Sequence, residues 1–349
     1  MLYLTVAATT PGSFPEQWSR WDAQQYVNIA SFGYVTNELP AHQVAFQSRF
    51  PPLYPLLIWI VDQIPGVSAV AAGIALSLFF LFAASVLLYA LVQTHTASRR
   101  QALLAVTLMD FFPTSYFASA VYSEALFLFL TLLYFWCLIR YESYGGATAA
   151  AVGAVLTRSV GAVLLVVHFH AALYGWRRTH ASVVKRATYF LLPLVALAAH
   201  LAAVRFLMRQ PGYLTAEEPA TAATKLSLPF AEPVRTVVEL VQRPDAALSE
   251  HAWMTTRWGA LFIFFAAAVL LWGMRRLPPL YRTYAASYLL FVSALTWNIS
   301  APRHVWVLFP VFMVLASVRS VAAIGGFLGA FTLGLIGFGR MFASGAWAF

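Results

Sequence analysis

The chain has 349 residues, of which 61% are hydrophobic and only 10% charged, with a formal net charge of +9 and one cysteine. A mean hydropathy of +0.72 leaves too little polar surface to cover a soluble globule. The lone Cys137 excludes disulfides and cysteine metal sites, and basic residues scattered through short loops point to membrane topology rather than nucleic acid.

In chain order, the opening MLYLTVAATTPGSF lacks a basic n-region, so it is a poor signal peptide, and its apolar part is too short to span. Either a first membrane helix is missing ahead of it or these residues only dip into the bilayer. Residues 10–50 read as a polar loop holding SRWDAQQYVNIASFGYV. PPLYPLLIWIVDQIPG follows, bounded by prolines, and reads as a helix lying at the interface, so that 10–66 forms one outer loop. Spans are expected at about 67–93, 99–116, 119–140, 146–158, 159–176 and 187–208. A second polar loop takes 209–256, and four more spans lie near 257–274, 281–298, 303–319 and 321–341. Parity requires 146–176 to be a short helical hairpin. The expectation is a single all-α polytopic membrane domain over 1–349 with about ten or eleven transmembrane helices. The short alternating segments of a membrane barrel, a 20- to 50-residue repeat and a low-complexity tract are all lacking.

Orientation follows from lysine and arginine in the short loops. One side receives 11 of the 22 basic residues, including Arg177, Arg178, Lys185 and Arg186, with Glu142 as its only acid. That side is expected to be cytoplasmic, which places the Asp22 loop and the 209–256 loop outside.

Four clusters then share the outer face: Trp21-Asp22 with Tyr26; SRFPPLYP with Arg49 and Tyr54; MDFFPTSYFASAVYSEALF with Asp110 and Glu124; and LTRSVG with Arg158 paired with SAPRHVW, which holds Arg303 and His304. An ionisable group at the bilayer centre costs about 2.5–3.5 kcal/mol on insertion scales and less near the interface, so it is the convergence that counts. Each residue also has a plain structural reading. Asp22 suits a helix cap, Arg303 can anchor a span by snorkelling, and Arg20 and Arg49 suit lipid headgroups. Glu124 can hold a neighbouring helix, the structural reading is favoured for Asp110, and His168 and His170 face different directions. There is no phosphate-cradling glycine loop and no metal-ligand cluster, so no metal or cofactor is expected.

RWDAQQYVNIASFGY followed by FPPLYPLL resembles the PIG-V family, the second mannosyltransferase of GPI-anchor synthesis, and its prokaryotic relatives. FPTSYFASAVYSEALF, LTRSVG and PRHVWVLFPVF resemble further blocks of that family in its order, over about residues 19–312. Ser159 stands where the family usually has proline, and AFQSRFPPLYP carries extra residues. The resemblance implies a GT-C bundle in a prokaryotic plasma membrane, acting outside the cytoplasm. It also implies a polyprenyl-phosphate-sugar donor, a lipid or glycan acceptor, and a catalytic acid in the first outer loop, which falls on Asp22.

The chemistry is consistent with that. Transfer to a hydroxyl needs a base, and carboxylates are ionised at neutral pH. A phosphate leaving group needs cations rather than a proton, which suits Arg158, Arg303, His304 and Arg49. Trp21, Tyr26, Tyr54, Glu124 and Asp110 are the expected substrate contacts. Two alternatives stay open: a GT-C enzyme with another sugar or a protein acceptor, and a transporter without chemistry, against which the one-sided clustering of acids argues.

Overall fold

The structure is a computed structural model that describes residues 10–175, 183–207, 226–242, 257–296 and 300–346. Helix dominates, and the one β-type pairing among the described residues is an isolated bridge between Leu226 and Leu295. The α-helices of the described residues are α1 Phe14–Trp18, α2 Asp22–Phe32, α3 Ala41–Gln47, α4 Leu53–Asp62, α5 Ala69–Thr96, α6 Arg99–Asp110, α7 Glu124–Arg140, α8 Tyr144–Thr157, α9 Val163–Gly175, α10 Val183–Ala202, α11 Ala231–Gln242, α12 Trp258–Gly273, α13 Pro279–Ser293, α14 Ala301–Trp306, α15 Pro310–Ala316 and α16 Val321–Ser344. Among the described residues four helical segments are apolar and long enough to cross a membrane: Ala69–Thr96, Thr188–Phe206, Trp258–Arg276 and Val321–Ser344. The chain is an all-α membrane protein. The other expected spans are shorter helices or are broken.

Local chemistry explains the breaks. The span expected at 99–116 stops at Asp110, because Pro113 has no N–H and its ring clashes with the preceding turn. The span expected at 303–319 divides into α14 and α15, with Pro310 in the first turn of the second. The helix expected from 119 starts only at Glu124, since the preceding residues bond elsewhere. Conversely, the polar loop at 10–50 is largely helical, as Ala23, Tyr26, Ile29 and Ala30 give α2 one buried face. Ser98, Ser143 and Ser320 cap α6, α8 and α16 by accepting from backbone N–H groups three residues on. The expected hairpin at 146–176 forms: α8 and α9 meet at a tight turn over Ser159–Ala162, and the Tyr144 hydroxyl donates to the Ala171 carbonyl at 3.2 Å.

The chain divides into two compact units. The first holds Trp18–Leu87 and Ala118–Thr221, and the second holds Met1–Gln17, Leu88–Phe117 and Ala222–Phe349. In the first, α7 packs on α8 and α8 on α10, while α2 packs on α4. In the second, α12 packs against α14, α15 and α13, and α6 against α15. Gly273 lets α12 meet Val314, as a Cβ there would sit 2.1 Å from a Val314 methyl.

Candidate active site in the first unit

Asp22 begins α2 and is half-buried. The segment before it is clamped by residues 119–122. The Trp18 indole N–H donates to Ser119 Oγ at 2.6 Å, the Val121 N–H to the Trp18 carbonyl at 3.1 Å, and the Tyr122 hydroxyl to the Arg20 carbonyl at 3.0 Å. Between these fixed points Trp21 takes φ 57° and ψ −118°, a region that a bulky L-residue avoids, and 43% of its surface is exposed. Such strain is held only where its surroundings over-determine it, and it marks candidate functional positions. Here it sets the direction in which the Asp22 side chain leaves the backbone.

One turn on, Tyr26 is the hub of the unit. Its ring meets Phe50 and Tyr54 edge-on at 5.0 Å each, and its hydroxyl lies 2.7 Å from Ser123 Oγ. The next residue, Glu124, is fully buried, and it accepts from the Arg158 guanidinium at 2.5 Å. Arg158 leaves the end of α8 in extended conformation and is 14% exposed. Burial, and after it the Glu124 charge, push the Tyr26 hydroxyl well above its usual range; Arg158 opposes and Asp22 adds to the rise.

Gly161 makes the Arg158 corner possible. A Cβ there would fall 2.6 Å from the carbonyl carbon and oxygen of Ala154 in α8, which are backbone atoms that cannot step aside. Gly73 does the same for α5 against the clamp, since a Cβ would lie 2.5 Å from Val121 Cγ1.

Of the other expected contacts, Tyr54 and Arg49 lie in this unit. Tyr54 is fully buried, with its hydroxyl 2.9 Å from the Gly73 carbonyl and 2.7 Å from Ser77 Oγ, and Ser77 donates in turn to the Tyr122 carbonyl. The hydroxyls of Tyr26 and Tyr54 are thus engaged within the protein, which favours a packing role over the sugar contact expected of them. Arg49 lies over the Phe46 ring at 5.1 Å, and Phe46 meets Phe50. Arg303, His304 and Asp110 belong to the second unit. The Arg303 guanidinium donates to Ser300 Oγ at 2.6 Å and sits 5.0 Å over the Phe117 ring. His304 Nδ1 is 3.4 Å from the Tyr288 hydroxyl, and the Asp110 carbonyl accepts from Ser115. No group of three or more metal-binding side chains occurs among the described residues.

The sequence reading overlooked Gln47. Its side chain is fully buried at the end of α3, and neither Nε2 nor Oε1 is hydrogen-bonded. Gln25 Oε1 and Arg20 Nε are buried in the same way. The only signal for Gln47 was a polar residue inside AFQSRF.

A family model described as Mannosyltransferase (PIG-V) matches residues 4–210, which contain Asp22, Glu124 and Arg158 but not Arg303 or His304. Over 125 residues the chain is 32% identical to GPI mannosyltransferase pigv-1 of Caenorhabditis elegans, covering 32% of this chain and 18% of that protein. It is 33% identical over 163 residues to GPI alpha-1,6-mannosyltransferase 2 of Mus musculus and 34% over 164 residues to that of Cricetulus griseus, covering 45% of this chain and 32% of each relative. The matched segments thus span about a fifth to a third of the curated relatives' length.

Proposed function

Because the chain belongs to the mannosyltransferase (PIG-V) family, we propose that it transfers mannose from a polyprenyl-phosphate donor to a hydroxyl of a lipid or glycan acceptor on the extracytoplasmic side. Asp22 is the general base. Its carboxylate takes the acceptor proton as the acceptor oxygen attacks C1 of the sugar. The bond from C1 to the phosphate oxygen breaks, and its electron pair leaves on the phosphate. Attack from the face opposite the phosphate inverts C1.

A hydrolytic glycosidase uses two carboxylates because its departing alkoxide must be protonated. A phosphate leaves without that proton but gathers charge, which arginine stabilises best through two-point hydrogen bonds. In this reading Arg49, in the same unit as Asp22, serves the phosphate. Arg158, already paired with Glu124, holds the frame around Asp22. The observation that supports the reading most is Asp22 at the start of α2 behind a strained Trp21, in the unit that also holds the buried Glu124–Arg158 pair.

The test is the purified protein in detergent with a panel of polyprenyl-phosphate sugars and a glycolipid acceptor. Mannose transfer with stoichiometric release of polyprenyl phosphate is the expected result. Transfer from a different sugar donor alone overturns the mannose assignment. Absence of turnover on every donor, with sugar or lipid flux in proteoliposomes, overturns the enzyme reading in favour of a transporter.

A further inference from the structure

Helix α11 lies in the segment that composition alone marks as a polar loop. At about 100° per residue it divides into three sectors. Pro233 and Thr236 are buried, with Leu240 half-buried on the same side. Glu232, Arg235 and Glu239 form a second sector, in which Arg235 bonds Glu232 at 2.6 Å and approaches Glu239 at 3.7 Å. Val234, Val237, Val238 and Val241, spaced i, i+3, i+4 and i+7, form the third, and they are 49%, 42%, 43% and 77% exposed. An apolar stripe this continuous is not left to water without reason.

Its position within the second unit bears on what covers it. The Ser227 N–H donates to the Ala294 carbonyl at 2.7 Å and the Phe230 N–H to the Ser293 carbonyl at 3.1 Å, both at the C-terminal end of α13. Phe230 stacks 6.3 Å from Phe264, in the first half of the membrane-crossing segment Trp258–Arg276. The helix is therefore tied on where α12 begins and α13 ends. The exposed apolar surface of those two helices reaches that level, through Leu261 at 55% and Leu290 at 48%. The valine stripe continues this surface beside a polar sector and a protein contact.

We propose that α11 is a membrane-interface helix, with Val234, Val237, Val238 and Val241 seated at the boundary between lipid headgroups and acyl chains. The occupant of the exposed face is lipid. With Glu232 and Glu239 flanking Arg235, the helix has no basic face for anionic headgroups, so its attachment is apolar and indifferent to lipid charge. The inference does not depend on the glycosyltransferase reading.

The test uses the whole chain with Cys137→Ser and a spin label on a single cysteine at Val238 or at Arg235, reconstituted in phosphatidylcholine vesicles with and without phosphatidylglycerol. Oxygen, which concentrates in lipid, should relax the Val238 label several-fold more than a water-soluble nickel chelate does. The order should reverse at Arg235, and neither lipid composition nor high salt should change it. Nickel access at Val238 equal to that at Arg235 would overturn the proposal, because the stripe would then face water. Low access to both reagents would also overturn it, because protein, such as a second copy, would then cover the stripe.

Discussion

Glu124 is the carboxylate whose neutralisation should disturb the first unit most. Glu124→Gln keeps the shape and one acceptor oxygen but cancels the charge facing Arg158. The pair is 2.5 Å apart, with Glu124 fully buried and Arg158 14% exposed, so water can replace the lost partner only in small part. Removing one member of a buried pair costs about 3–5 kcal/mol. Crediting roughly 1 kcal/mol for the hydrogen bond that glutamine retains leaves about 2–4 kcal/mol for Glu124→Gln. Arg158→Met should reach the full range, because it strands a carboxylate. The double variant Glu124→Gln/Arg158→Met leaves no charge behind and should be less damaging than the sum, with a coupling of about 1–3 kcal/mol. The assay is unfolding in detergent, followed by intrinsic fluorescence, for all four members of the cycle. Single variants as stable as wild type, or strictly additive losses, would refute the claim that this pair holds the site.

Trp21→Gly should be more stable than Trp21→Ala by about 1–3 kcal/mol in the same unfolding assay, because only glycine relieves the positive φ. Gly161→Ala should lose about 1–3 kcal/mol through its clash with the Ala154 backbone, and transfer activity should fall with it as Arg158 is displaced. A cysteine at Thr179 in a Cys137→Ser background should resist an impermeant reagent in intact cells and react after permeabilisation. Reaction in intact cells would invert the orientation and place Asp22 in the cytoplasm.

The membrane class was legible because hydropathy and apolar run length are additive properties that need no tertiary information. The interruptions at Pro113 and Pro310 were legible too, but were absorbed into longer apolar runs. Helix α2 carried a readable apolar spacing at Ala23, Tyr26, Ile29 and Ala30, and α11 one at its four valines. In both, the polar residues between drew the segment into a loop. Glu124 and Arg158 were each singled out, but their pairing joins residues 34 positions apart and depends on the turn that Gly161 permits. The same limit affects Tyr26 and Tyr54, since an aromatic in a motif reads alike whether its hydroxyl meets a sugar or, as here, Ser123 and Ser77. The strain at Trp21 has no sequence signal, because it arises from bonds made to residues 121 and 122.

The central claim is that Asp22 removes the acceptor proton, and the most direct test is kcat of Asp22→Asn beside wild type, with unfolding temperature and donor affinity measured on the same preparations. The amide matches the carboxylate in shape but cannot accept the proton. A general base typically contributes about 10²- to 10⁴-fold in rate, so kcat should fall by that order while stability and donor affinity stay unchanged. A kcat within about twofold of wild type, far short of that contribution, would contradict the account and remove Asp22 from the chemistry.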